Sequence, residues 1–483
     1  MSSSLNLASA TPEIFLLAMT CVVMLVDLFT PAEKREDRLF ILSLGTLALV
    51  ALSIYNLVTP FPPPRLAFNG MLVIDGMAVL LKFAIVISVA MVIVYSRAYL
   101  AARKLFSGEF ITLILFATLG MMIMVSANHF ISLYLGLELL ALSSYAMVAL
   151  NRDSAISSEA AMKYFILGAL ASGLLLYGLS MIYGATGSLD VSKVAAIIRA
   201  SRGIDPLIMF GLVFVVSGLA FKLGVVPFHM WVPDVYQGAP TAMTLFIGSA
   251  PKLAAFGFIM RILADSLGGA VNDWQGMLVL LAVLSMALGN IVAIAQTNLK
   301  RMLAYSTISH MGFLLLGILA GTKNGYASGM FYAITYVLMT AGAFGMIMLL
   351  SRAGFEADNI DDFKGLNQRS PLYALMMLFI IFSMAGIPPF LGFWAKLSVL
   401  EGALNAGYTW LVVYAVLMSV IGAFYYLRLI KVMYFDGPID VSPIIAKADM
   451  RGLLTINAFA LLALGLFPSA LMTACLNAIQ VSF

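Results

Sequence analysis

Charge is what this sequence has least of. Only 10% of its 483 residues are Asp, Glu, Lys or Arg, while 62% are hydrophobic. A soluble domain coats itself with about a quarter charged residues, so that class is excluded. Cysteine is almost absent. Cys21 and Cys475 stand in apolar runs at opposite ends, with no CxxC or metal spacing, and both read as lipid-facing or packing residues. There is no GxxxxGK[ST], no dinucleotide fingerprint and no HExxH, so the chain has no visible means of binding ATP, NAD, flavin or an iron–sulfur cluster. The net charge of +4 is small and dispersed and offers no nucleic-acid surface.

What is abundant is apolar length. The mean hydropathy is +1.03. Runs of the roughly 20 residues needed to cross a ~30 Å hydrocarbon core recur throughout, without the sustained alternation of a closed β-barrel. The pattern predicts an all-α membrane protein, one polytopic domain over 1–483, with fourteen spans near 12–30, 39–60, 73–96, 109–127, 129–150, 159–184, 206–231, 241–263, 274–296, 301–320, 326–350, 371–400, 408–432 and 452–475. Met1 to Ala10 carries no basic stretch and no clear cleavage site follows, so the first run reads as a retained span. The polar connections 185–205, 351–370 and 433–451 are candidates for surface helices. The connections after odd-numbered spans hold 16 Lys and Arg and those after even-numbered spans hold 6. By the positive-inside rule the odd connections are cytoplasmic and both termini lie outside.

Five lysines remain inside spans: Lys82, Lys163, Lys222, Lys252 and Lys396. A charge at the bilayer centre costs at least ~2.5–3.5 kcal/mol. Snorkelling to a span end accounts for Lys82 and in part for Lys163. It does not account for Lys222 or Lys252, which lie well inside their spans.

Two spans look broken. The segment 206–239 has 34 residues, about 51 Å as one helix, which is too long, and it contains Pro227 and Pro233. Span 12 contains Gly386-Ile387-Pro388-Pro389. Proline lacks the N–H and clashes with the carbonyl four residues back, so these sites free the carbonyls of Leu223, Met384 and Ala385. Each break has a lysine beside it, Lys222 and then Lys396, in spans five apart. That is the pattern of two inverted five-helix repeats, spans 4–8 and 9–13, over about 109–432, with sites near the midplane.

Glu138 is the only acid in the interior of span 5. It reads either as half of a structural ion pair or, beside several buried lysines, as part of a proton relay. Burial disfavours a charged form while pairing favours it, so groups balanced this way change protonation when a neighbour changes charge. His229, seven residues after Lys222, and His310, inside span 10, are candidate proton carriers or satisfied core histidines. His129 sits at a span edge and reads as interfacial, and Asp234 as a helix-end contact. Glu13, Asp27 and Asp75 read as packing or subunit-contact residues. Methionines and aromatics read as span filler.

The run Lys222-Leu-Gly-Val-Val-Pro227-Phe-His229-Met-Trp231-Val-Pro233-Asp234-Val-Tyr236-Gln-Gly238-Ala-Pro240-Thr241 resembles the proton-translocating antiporter-like family of respiratory complex I and of multisubunit Na⁺/H⁺ antiporters. So do Ser158-Glu-Ala-Ala-Met-Lys163-Tyr-Phe-Ile-Leu-Gly168, Asn298-Leu-Lys300-Arg301-Met-Leu-Ala-Tyr305-Ser306-Thr-Ile-Ser309-His310, and Ala385-Gly-Ile-Pro388-Pro389-Phe-Leu-Gly392-Phe-Trp394-Ala-Lys396. The likeness covers essentially the whole chain, which ends without the lateral helix of the family's chain L. The family usually has proline after Ala-Pro-Thr, where this chain has Ala242.

The resemblance implies a proton relay. Glu138 and Lys222 would be the coupled pair of a first half-channel. Lys252 would be the central relay and Lys396 its counterpart leading outward, with His229, His310 and Lys163 in support. It also implies a place among the membrane-arm chains of complex I, beside the antiporter-like chain M, small chains such as K, and membrane lipids. NADH, FMN, iron–sulfur clusters and quinone would sit on partner subunits, with none of these cofactors in this chain. A Na⁺/H⁺ antiporter subunit is the alternative. A solute transporter would need a polar substrate cavity at the breaks, and a structural spacer would not keep five intramembrane lysines.

Overall fold

In hydrocarbon every backbone polar group must be satisfied within the protein, which leaves helices as the way to fold long apolar runs. The computed structural model describes residues 5–56, 61, 63–200 and 205–483. The end of expected span 2 and Arg202 of the loop count lie outside them. The helices are α1 (Thr11–Leu28), α2 (Ala32–Tyr55), α3 (Gly76–Ala102), α4 (Gly108–Ser126), α5 (Phe130–Val148), α6 (Ala155–Thr186), α7 (Val191–Ala200), α8 (Pro206–Leu223), α9 (Trp231–Gly238) and α10 (Thr241–Gly248). They continue with α11 (Ala250–Ile259), a π-helical turn (Met260–Ser266), α12 (Val271–Ile294), α13 (Leu299–Leu319), α14 (Lys323–Leu350), the short α15 (Leu366–Arg369), α16 (Pro371–Ala385), α17 (Leu391–Asn405), α18 (Thr409–Phe435), α19 (Ala448–Leu466) and α20 (Ser469–Ser482). A small hairpin pairs β1 (Arg65–Ala67) with β2 (Leu72–Ile74), antiparallel.

Among the described residues, thirteen helical stretches are long and apolar enough to cross a membrane, one at every expected span except the twelfth. That one is divided into α16 and α17, of 15 residues each, split at the expected prolines. Two boundaries differ. Span 2 begins at Ala32, so Lys34, Arg35 and Arg38 ride on its first turns rather than in a loop. Expected span 14 ends at Leu466, because Pro468 starts a separate helix, α20. Of the polar connections, 185–205 holds the surface helix α7 and 351–370 holds α15, while 436–447 is not helical.

α10, α11, α13 and α14 are buried almost completely in protein, whereas no more than about a third of the residues in the apolar stretches of α1, α2, α18 and α19 are buried. Small residues let backbones approach. A Cβ on Gly120 of α4 would lie 2.7 Å from the carbonyl oxygen of Gly136 on α5. In the matching pair, a Cβ on Gly289 of α12 would lie 2.8 Å from the Tyr305 carbonyl oxygen on α13.

The odd-numbered connections share one face. Arg97, after span 3, meets Glu36 (3.0 Å) and Asp37 from the start of α2, and Asp449 (3.3 Å) from the start of α19. Arg352, after span 11, meets Asp440, after span 13, at 2.7 Å. There the Ser442 hydroxyl and amide, then Arg352, hold the Asp440 carboxyl well below the usual carboxylate range.

Candidate functional site

The first break follows from two residues. Gly224 takes a left-handed conformation (φ 81°) that ends α8, its N–H returning to the Ala220 carbonyl at 2.9 Å. Pro227 then prevents immediate resumption, and the chain turns until α9 begins at Trp231. The carbonyl expected to be free, that of Leu223, accepts from Lys252 Nζ at 2.9 Å. The indole N–H of Trp231 donates to the Phe221 carbonyl at 3.0 Å, and the Val226 amide donates to Ser285 Oγ at 2.9 Å.

The second break repeats the design. Gly386 (φ 83°) ends α16, its N–H donating to the Phe382 carbonyl at 3.1 Å. The free Ala385 carbonyl accepts from Lys396 Nζ at 2.8 Å, and the same ammonium donates to Ser419 Oγ at 3.0 Å. Lys396 also lies 5.3 Å from the centre of the Phe313 ring.

Between α5, α6, α8 and α11 is a cavity of about 30 Å³ lined by Lys222, Lys252, Ser144, Tyr164 and Trp231. That is room for about one water. Lys222 Nζ approaches Ser172 Oγ at 3.5 Å. Glu138 lies on α5, whose residues Leu137 and Ala141 line the cavity, and its buried Oε1 has no hydrogen-bond partner among the described residues. No ion pair joins it to Lys222 within 4.0 Å among the described residues, so any coupling acts through the intervening space. At an effective dielectric of about 20, two unit charges ~8 Å apart interact by roughly 2 kcal/mol.

His310 is buried on α13, with Nδ1 2.6 Å from the Tyr332 hydroxyl and Nε2 3.0 Å from the Tyr426 hydroxyl. Tyr426 continues to Ser306 at 2.5 Å, and Thr307 to Tyr336 at 2.7 Å. The structure thus brings His310 into a chain of hydroxyls. His229 lies in the turn of the first break, its buried Nδ1 without a hydrogen-bond partner among the described residues. His129 caps α5, accepting the Ile131 amide.

Other expectations need correction. Lys163 is not within the line of buried lysines. It is partly exposed and paired with Glu159 (2.9 Å) and Asp234 (2.8 Å), and Asp234 also holds Arg301 (2.8 Å). Lys82 does not snorkel. It is 2% exposed and paired with Glu13 of α1. Two further cations are buried, Arg261 inside expected span 8 and Lys300 in the expected connection before span 10. Arg261 makes a two-pronged contact with Asp75, at 2.8 and 2.9 Å, and Lys300 donates to the Ala239 carbonyl at 2.7 Å. Arg261 stands within an apolar run, a signal that sufficed to place it in span 8; Lys300 stands at a run's edge, where no such signal exists.

The family described as NADH:quinone oxidoreductase/Mrp antiporter, transmembrane region, matches residues 127–422, which include both breaks and their lysines. The chain belongs to this antiporter family. It is 62% identical to the NADH-quinone oxidoreductase subunit N of Nitrosomonas europaea over 98% of each chain. A chain of respiratory complex I from Thermus thermophilus superposes with a TM-score of 0.83 at 31% identity, covering 97% of this chain and 100% of that one. A chain of the Mrp complex from a Dietzia species has a TM-score of 0.86 at 22% identity, covering 99% and 97%, a likeness of fold. Within the antiporter family the chain therefore belongs with subunit N, as a multi-pass, helical membrane protein.

Proposed function

We propose that this chain is a proton-translocating membrane-arm subunit of NADH–quinone oxidoreductase, moving protons outward while the assembled enzyme oxidises NADH and reduces quinone. The observation that carries the reading is that each broken helix leaves a carbonyl held by one buried lysine. A buried ammonium on a neutral carbonyl, with no carboxylate in contact, is a charge that can be given up when the local field changes. Glu138 and Lys222 form the first coupled step, Lys252 is the central relay, and Lys396 with His310 leads towards the outside. The spans 4–8 and 9–13 act as inverted repeats, which the matched glycine crossings and matched breaks support. The redox cofactors belong to partner subunits, and this chain contacts the sister chain M, small chains such as K, and lipid. The membrane is the bacterial inner membrane with both termini outside; a reporter fused after Phe483 is then active only in the outer compartment. The Na⁺/H⁺ antiporter alternative is disfavoured by identities of 62% against 22%.

The test is Glu138→Gln, which keeps shape and hydrogen bonding but cannot ionise. Proton pumping and coupled quinone reduction per assembled complex should fall severalfold with assembly intact. Wild-type values for both would make Glu138 structural and remove the first step.

A further inference from the structure

Three lysines in this molecule share one geometry, and only two have been given a role. The helices are interrupted at Leu223, at Ala239 and at Ala385. At each, one lysine amine donates to the freed carbonyl: Lys252 at 2.9 Å, Lys300 at 2.7 Å and Lys396 at 2.8 Å. Lys300 is 3% exposed. It differs from the others in lying at the odd-numbered face, where four chain segments converge: the end of α3, the α9–α10 junction, the start of α13 and the connection after α14.

Beside that junction stands Glu356. Its Oε2 accepts from Arg103 Nη2 at 2.6 Å, both oxygens accept from the Tyr99 hydroxyl at 2.9 and 3.0 Å, and Oε1 accepts from Thr241 Oγ1. The Tyr99 oxygen in turn accepts the Thr241 amide at 3.1 Å. Thr241 and Tyr99 are buried, whereas the Glu356 side chain is 27% exposed. Arg103 is 16% exposed, so Glu356 is the most open member of the cluster and its only acid. Glu356 and Asp358 are the acids whose charge acts on Lys300, with Arg103 opposing. Asp358 is itself engaged by Asn298 at 2.9 Å.

Resting on the relay reading above, we infer that Glu356 and Lys300 form an entry to the relay from the odd-numbered face. The Glu356 carboxylate takes a proton from water and passes it to the neutral Lys300 amine across the α9–α10 junction, a gap that no direct contact within 4.0 Å closes among the described residues. The carboxylate is restored, and the resulting ammonium keeps the Ala239 carbonyl as its acceptor. Further along the same helix, α13 presents Thr307, joined to Tyr336, and then His310. The buried Tyr236 hydroxyl lies beside Thr307. Each hydroxyl on this route accepts one proton as it releases another, so charge moves without any group keeping it.

A plain strap between the 351–359 connection and α10 is the competing account, and two variants separate them. Glu356→Gln keeps the length of the side chain and its acceptor but cannot carry a proton. Glu356→Asp keeps a carboxylate but is one methylene too short for the contacts. An entry acid requires Asp to outperform Gln; a strap requires the reverse. Proton uptake into inverted vesicles, per assembled complex, is measured across a series of medium pH values. The expected result is uptake about fivefold below wild type for Gln, and at least half of wild type with a displaced pH profile for Asp. Uptake by Gln equal to or above that of Asp overturns the inference. Should neither variant assemble, Lys300→Arg decides: it keeps a donor for the Ala239 carbonyl but does not release its proton, so near-normal uptake also overturns it. Glu138→Gln, measured in parallel, tells the two readings apart. Loss there with normal Glu356→Gln sinks this entry alone, while normal uptake in both sinks the relay itself.

Discussion

The two broken helices have the same backbone design and different electrostatics. Each ends its first half on a left-handed glycine and leaves a carbonyl for a lysine. At the first break that lysine, Lys252, comes from the following span, and a second lysine, Lys222, faces the same small cavity. At the second break Lys396 comes from the resumed helix itself, eleven residues on, and shares its surroundings with His310 and a set of hydroxyls. Two cations around one cavity repel, so the first break is tolerable with an acid nearby, and Glu138 is the acid of α5. The second has one cation and needs none. The lesson is that the break creates a place for a lysine, while its neighbours decide which charge states coexist there.

The most severe test of this contrast is at Lys222. Arginine keeps the charge and does not release its proton, so Lys222→Arg should lose pumping nearly as completely as Lys222→Ala, by about tenfold. Near-normal proton uptake by the arginine variant would leave Lys222 as a fixed partner of Glu138 and put the first break's traffic on Lys252 alone.

The glycines give a smaller, more selective effect. Alanine at either position carries the left-handed penalty of about 1–2 kcal/mol. At Gly386 the new Cβ would lie 2.8 Å from Lys396 Cδ, whereas at Gly224 it would lie 2.6 Å from Val232 Cγ2 and 3.9 Å from Lys252 Nζ. Both variants should reduce the amount of assembled complex to a similar degree. Pumping per assembled complex should fall further in Gly386→Ala, by about threefold. Equal losses per complex would show that the lysine's position at the second break is not critical.

The tryptophans should give the smallest effect. Trp231 holds a carbonyl of its own break, while Trp394 donates to the Gly465 carbonyl on α19 at 2.8 Å. Losing one such bond costs about 1 kcal/mol. Trp231→Phe should lower the pumping rate about twofold and Trp394→Phe should leave it within error. The opposite ranking would place the sensitive support of the relay outside the breaks.

Much of the architecture was legible in advance, because crossing a hydrocarbon layer imposes a length and an apolar composition that no partner can alter. The breaks were equally legible, since proline removes a donor wherever it stands, and the carbonyls of Leu223 and Ala385 are where that rule puts them. What the rule could not say was who occupies those carbonyls. Lys252 reaches Leu223 from 29 residues away, and the Lys82 that looked like a snorkelling residue is paired with Glu13, 69 positions earlier. Lys163 looked like a member of the path and belongs to a surface ion-pair cluster. Lys300 looked like a loop residue and is buried on a carbonyl.

By itself, then, the sequence determined a many-helix membrane fold, where two of its helices break, and that several charges had to be buried. Those follow from local covalent chemistry and from the cost of exposing polar groups to lipid. Only the tertiary structure decided which charge answers which carbonyl or carboxylate. That choice is made by helices far apart in the chain, packed until each buried ion has found the nearest group able to hold it.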